Sequence, residues 1–250
     1  MKKATDFISY ALARAKPNTV PSGAKLPISK DEVGSVAGGP WEYLYGTTGK
    51  KVTKSLLNER YNNFYGKKGW SREDYDIATE NWVALKKTVT DCQGLLDSFL
   101  GTDVTANYCY TSWCSSRGKI SDIDRPYKIG EALFHDNGEG RMTHVGFVCG
   151  FLDGQPLVVE ARGIRFGVVV TKFSERPWTN RGLVTSKLNY DDSTSDEQII
   201  LKVTTPMIQG THIMNLQKAL NSLGYYCGTP DGKCGKLTMS GVKEFAKKHV

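Results

Sequence analysis

Apolar residues recur at helical spacing through the first part of the chain and alternate with polar ones after residue 130. Near the start, Phe7, Ile8, Ala11, Leu12 and Ala15 fall on one side of a short amphipathic helix. Residues 18–40, rich in Pro, Gly and Ser, read as irregular. A start signal at Ser71 to Asp74 precedes Tyr75, Ala78, Trp82 and Leu85, a stripe that predicts a second helix. Thr90 and Gln93 fit a capping box, with Leu95, Leu96 and Phe99 as the apolar face and Gly101 as the stop. A further helix is expected over Ala106 to Ser116. Then the period changes. Ala132 to Phe134, His144 to Cys149, Pro156 to Ala161 and Phe166 to Lys172 read as short strands separated by glycine turns. Helices followed by a strand meander predict an α+β domain, its helices packed on an antiparallel sheet, over residues 1–185. Polar residues 186–198 read as a linker. Residues 199–250 predict a small all-α domain with helices at about 211–223 and 237–248 and a stripe of Leu216, Leu220 and Leu223.

Composition narrows the function classes. At 39% hydrophobic residues the 250-residue chain can build a core, which excludes wholesale disorder. No apolar run is long enough for a membrane-spanning helix, so no membrane insertion is expected. The net charge of +7 favours an anionic partner, with nucleic acid, phospholipid and bacterial cell wall all eligible. No basic helix or aromatic–basic motif supports nucleic acid. The opening lysines are followed by Asp6, Ser9 and Arg14, which interrupt any signal-peptide core and point to cytoplasmic synthesis. A monomer is the default expectation.

The chemistry-bearing residue types are few. The six cysteines contain no C-x-x-C pair, so no metal and no cofactor is expected. Cys227 and Cys234 flank a turn and are a candidate disulfide; the other cysteines except Cys92 read as small buried hydrophobes. Cys92 falls in the first turn of the predicted helix, where free N–H groups and the positive helix end favour a thiolate nucleophile. His144 and His135, on the strands, are the candidate bases. Glu160, at the end of an apolar strand, needs a partner there; neighbouring antiparallel strands can set it beside His144 to orient the ring.

Read together, Asp91-Cys92-Gln93-Gly94-Leu95, Gly130 to Phe134, His144-Val145-Gly146 and Val159-Glu160-Ala161 resemble the NlpC-type papain-like cysteine peptidases of bacterial cell walls. The resemblance covers roughly residues 40–185. It implies a papain-like fold with Cys92 as nucleophile, His144 as general base and Glu160 in the orienting position. Tyr43 matches the family's upstream tyrosine near the nucleophile and oxyanion, with Tyr45 as fallback. Asp91, Gln93 and Arg162 are the further candidates for substrate contact. Gln93 stands where the family has Ser, and Glu160 where many members have a second His. The stretch between Gly46 and Asp91 is far longer than usual, an insertion expected to wall the substrate groove.

Gly210, Asn215 to Leu220, Pro230-Asp231-Gly232, Gly235, Thr238, Val242 and Phe245 resemble the three-helix peptidoglycan-binding domain of wall hydrolases. Its His212, Gln217 and Asp231 read as structural rather than ligand-contacting. The two resemblances together imply a peptidoglycan hydrolase of the phage endolysin kind. It would cut a stem-peptide amide, the γ-D-glutamyl bond to the diamino acid or, alternatively, the muramoyl–L-alanine amide. A bacterial autolysin exported by another route and a wall-binding protein with a degenerate hydrolase domain are the other readings.

Overall fold

The structure, a computed structural model, describes residues 1–190 and 207–249. The chain divides into two compact units, 1–195 and 196–250.

The first unit begins with β1 (Lys2–Lys3) and α1 (Ala4–Leu12). All five apolar positions read from the sequence, Ala15 just beyond the helix included, are fully buried. Phe7 meets Phe147 edge-on, with centroids 4.7 Å apart, which sets α1 against the main sheet. After an irregular stretch come β2 (Glu42–Tyr43), β3 (Lys50–Lys51), α2 (Lys54–Arg60), α3 (Arg72–Ala78) and β4 (Thr88–Thr90). Ser71 caps α3 by accepting from Asp74 N–H. That helix stops at Ala78, and Asn81 and Lys86 have positive φ, so the expected stripe is cut short and Leu85 is exposed. The insertion has its own apolar cluster, built on Leu57, Tyr65, Tyr75 and Trp82 and joined by Leu44, Val89 and Ile164. It loops out and returns, and β2 pairs in parallel with β4, Tyr43 opposite Thr90.

Next come α4 (Gly94–Leu100) and α5 (Ala106–Tyr108). The helix expected to Ser116 is interrupted by a π turn over Cys109–Trp113 and gives way to β5 (Ser115–Lys119). The Cys114 N–H bonds to Cys109 O there, and β5 finds a ladder partner in β10 (Asn180–Leu183), which outweighs local helical preference. The sheet proper comprises β6 (Ala132–Asp136), β7 (Met142–Leu152), β8 (Gln155–Gly163) and β9 (Gly167–Lys172). With β5 and β10 it forms a six-stranded antiparallel sheet in the order β5-β10-β6-β7-β8-β9. Last is β11 (Leu188–Asn189), which pairs with β1. Leu188 and Tyr190 are buried in the core, so the linker expected from 186 does not begin there. The polar side chains of 186, 187 and 189 concealed two anchor residues. Its remainder, 191–198, lies outside the described residues. Helices packed on an antiparallel sheet, with a helical C-terminal region, make the fold α+β.

The second unit shows α6 (Thr211–Ser222) and α7 (Lys236–His249), within about one residue of expectation. Leu220, Tyr225 and Cys227 form its buried core, with Leu216, Val242 and Phe245 packed around them. Leu223 follows the helix end and is exposed, so it drops out of the expected stripe. Among the described residues no helix is long and apolar enough to cross a membrane.

Candidate active site

The turn that carries Cys92 is fixed from both sides. Thr90 belongs to a strand, so the Thr90–Gln93 box does not form; Asp91 supplies the cap instead. Asp91 Oδ1 accepts from Gly94 N–H at 2.7 Å, and Oδ2 accepts from Gly46 N–H at 3.0 Å. Asp91 N–H in turn donates to Thr47 O at 2.8 Å. Two motifs 45 residues apart are thereby pinned together. Gly94 is required because a Cβ there would collide with Thr47 O and Thr90 Oγ1. Burial, resisted by the two N–H bonds, pushes the Asp91 carboxyl up to about 6. Both of its oxygens are engaged, so Asp91 is a support of the turn and not the substrate contact it was expected to be.

Gln93 also departs from its expected role. It is 2% exposed and donates from Nε2 to Asp97 Oδ1 at 3.1 Å. A side chain directed into the protein by a buried carboxylate does not face substrate. Tyr43 lies in β2 near Cys92 and Asp91; burial first, then the charges of Cys92 and Asp91, push its hydroxyl well above its usual range. Tyr45 is turned elsewhere. Its ring stacks on Phe64 at 3.7 Å, and its N–H donates to Tyr65 Oη.

The sheet delivers the other half. His144 Nε2 and Glu160 Oε2 are 2.6 Å apart. Cys92 is close enough to the same ring to act on its protonation. Burial lowers the tendency of His144 to hold a proton, but the bonds to Cys92 and Glu160 and their charges outweigh it and push the imidazole up to about 9. Glu160 is completely buried. Burial raises its carboxyl, yet the hydrogen bond and charge of His144 and the charge of Arg176 prevail and hold it below the usual range. Thus Cys92, His144 and Glu160 are gathered in one place, with the His144–Glu160 hydrogen bond as its fixed element. His135 lies opposite His144 in the strand ladder and takes no part in it.

Three further residues complete this arrangement, and none stood out in the sequence. Thr171 Oγ1 donates to Glu160 Oε1 at 2.8 Å. Arg176 Nε lies 3.2 Å from the same oxygen as an ion pair. Trp178 stacks on the His144 ring, 5.7 Å between centroids and 15° between planes. Gly146 makes room for that stack, since a Cβ would approach Trp178 to 2.8 Å and Val158 to 2.7 Å. The signal available beforehand was a threonine on the buried strand β9; Arg176 and Trp178 lie in a connection whose course only the fold reveals.

Arg162 sits at the end of β8 with its guanidinium 4.3 Å over the Phe166 ring. It lies within the last two residues of that strand and has no bond to Cys92, His144 or Glu160. Among the described residues no group of His, Cys, Asp and Glu side chains could hold a metal ion.

In the second unit Gln217 is the central pin. It donates from Nε2 to Asp231 Oδ1, Lys233 O and Thr238 Oγ1, and accepts from Gly232 N–H at 2.9 Å. Gln217 and Asp231 are structural, as read from the sequence. The His212 side chain lies outside the described residues. Cys227 and Cys234 are both free thiols, so the candidate disulfide is not formed.

No curated protein and no solved structure matches the chain. Residues 209–249, which hold both helices of the second unit and the turn pinned by Gln217, match the family described as "Putative peptidoglycan binding domain". The match supports a peptidoglycan-binding domain in the C-terminal unit, with peptidoglycan as the partner it points to.

Proposed function

We propose that the first unit is a cysteine peptidase that cuts a stem-peptide amide of the peptidoglycan bound by the second. The observation that carries this reading is the His144–Glu160 contact of 2.6 Å on a ring whose protonation Cys92 also acts on. A buried carboxylate that orients an imidazole, which in turn faces a nucleophile, is the arrangement acyl transfer requires.

The chemistry runs in two halves. Cys92 gives its proton to His144, and its sulfur attacks the amide carbonyl carbon. The C–N bond breaks as His144 passes that proton to the leaving amine, and an acyl–sulfur bond remains. Water then gives a proton to His144, attacks the same carbon and breaks the C–S bond; the proton returns to sulfur. The Cys92 N–H serves the developing oxyanion, with Tyr43 beside it. Glu160 keeps the ring in place and stabilises the imidazolium without taking the proton. The wall-binding domain raises the local substrate concentration, so modest affinity suffices.

The favoured bond is the γ-D-glutamyl link to the diamino acid. Clearing of purified walls by wild type and by Cys92→Ala tests the reading. Wild type clears them, and the variant, still folded by circular dichroism, does so at least about a thousandfold more slowly. Equal clearing by both, or by neither, overturns the catalytic reading and leaves a wall-binding protein. Mass spectrometry of the fragments assigns the bond: new diamino acid N-termini support the endopeptidase, and free lactyl ends identify the amidase.

A further inference from the structure

A second cavity, of about 480 Å³, opens beside the insertion, and none of Cys92, His144 and Glu160 lines it. One wall is α3, which contributes Asp74, Ile77 and Ala78. The facing wall is the β8–β9 turn, with Ile164 and Arg165. Trp82 and the Lys16–Glu42 ion pair, 2.9 Å long, complete the lining. Glu42 is also met by Lys87 at 3.5 Å, so its charge is spent within the protein.

The other two charged groups are not spent. Arg165 lies 5.2 Å over the Trp70 ring, which positions the guanidinium without neutralising it. Asp74 gives Oδ2 to the Ser71 hydroxyl, which leaves Oδ1 for a ligand. Among the described residues neither has an ion-pair partner, although they are opposite in sign and share one cavity. The cavity therefore holds both a cation and an anion in its lining. Apolar groups line it too, and Ile77 is 65% exposed.

We propose that this cavity is a ligand site for an amino-acid-like zwitterion, a group whose ammonium pairs with Asp74 and whose carboxylate pairs with Arg165. Its apolar chain lies along Ile77, Ala78, Trp82 and Ile164. A planar guanidinium suits a carboxylate through two parallel hydrogen bonds, and charged groups placed among apolar ones set the orientation of a ligand. The site does not depend on Cys92.

The test is a titration of the full chain with norleucine, hexanoate and pentylamine, followed by NMR at the Trp82 indole N–H. Norleucine has both charges, and each analogue lacks one. Saturable shifts with norleucine, and binding at least tenfold weaker for both analogues, are expected. Arg165→Gln weakens norleucine at least tenfold and leaves pentylamine unchanged. Cys92→Ala binds norleucine as wild type does, so failure of the peptidase reading would not touch this result. Equal binding of norleucine and hexanoate, loss of binding in Cys92→Ala, or no saturable shift with norleucine overturns the proposal.

Discussion

Glu131 and Glu160 are both completely buried in the first unit, yet their surroundings give them opposite characters. Glu131 accepts from Arg181 at 2.6 and 2.8 Å, from Arg125 at 2.9 and 2.8 Å, and from Lys128 N–H at 3.1 Å. Burial raises its carboxyl, but the two arginines outweigh that and hold it low. Guanidinium does not release its proton in a protein, so this pairing is locked. Arg181 also donates to Arg125 O and Pro126 O, and so ties the segment before β6 to β10. Glu160 has instead a hydroxyl, an imidazole and one arginine contact. The imidazole titrates at about 9, and a partner that can take up and return a proton makes the pair fit for chemistry. A buried carboxylate therefore signals function by the kind of partner it has, more than by being buried.

The largest expected effect falls on the locked site. Glu131→Ala leaves the buried Arg181 and the half-buried Arg125 without their carboxylate and should lower the unfolding free energy by about 3–5 kcal/mol in urea titrations. A loss under about 1 kcal/mol would mean the network is not the clamp described. At the other carboxylate, Glu160→Gln should reduce wall cleavage by about a hundred- to a thousandfold, about 3–4 kcal/mol in barrier, with the fold retained. NMR titration should then show His144 giving up its proton at lower pH than in the wild type, because a hydrogen bond and a charge that raise it are gone. Cleavage lost with the His144 titration unmoved would reduce Glu160 to a packing residue.

The His144 shift also has a stability signature. Its folded value, about 9, lies above the ordinary 6.5, so the folded chain holds the proton more tightly than the unfolded one. The contribution is complete below pH 6.5 and disappears as pH rises through about 9. Wild type should lose stability over that window relative to His144→Gln; parallel curves would contradict the pairing. Smallest is Thr171→Val, which removes one hydrogen bond to Glu160 and should cost about 1 kcal/mol. It should move the His144 titration far less than Glu160→Gln does.

The amino-acid sequence alone determined what rests on periodicity and local turn chemistry. That includes the buried face of α1, the strands β6 to β9, the two helices of the second unit, and the pairing of Glu160 with His144. Each of these leaves a regular spacing or a residue type out of keeping with its neighbours. Tertiary structure decided the rest. Asp91 and Gln93 looked like substrate contacts because their motif is read linearly, but the return of the insertion engages Asp91 with Gly46, and Gln93 is buried and bonded to Asp97 one turn on. The strand at Ser115–Lys119 depends on a partner more than 60 residues later in the chain, and Leu188 and Tyr190 become core only when β11 meets β1. Thr171, Arg176 and Trp178 acquire their places around Glu160 and His144 only when the sheet and its following connection close on them. Long-range pairing writes no period into the local sequence, and that is why only the folded chain could disclose it.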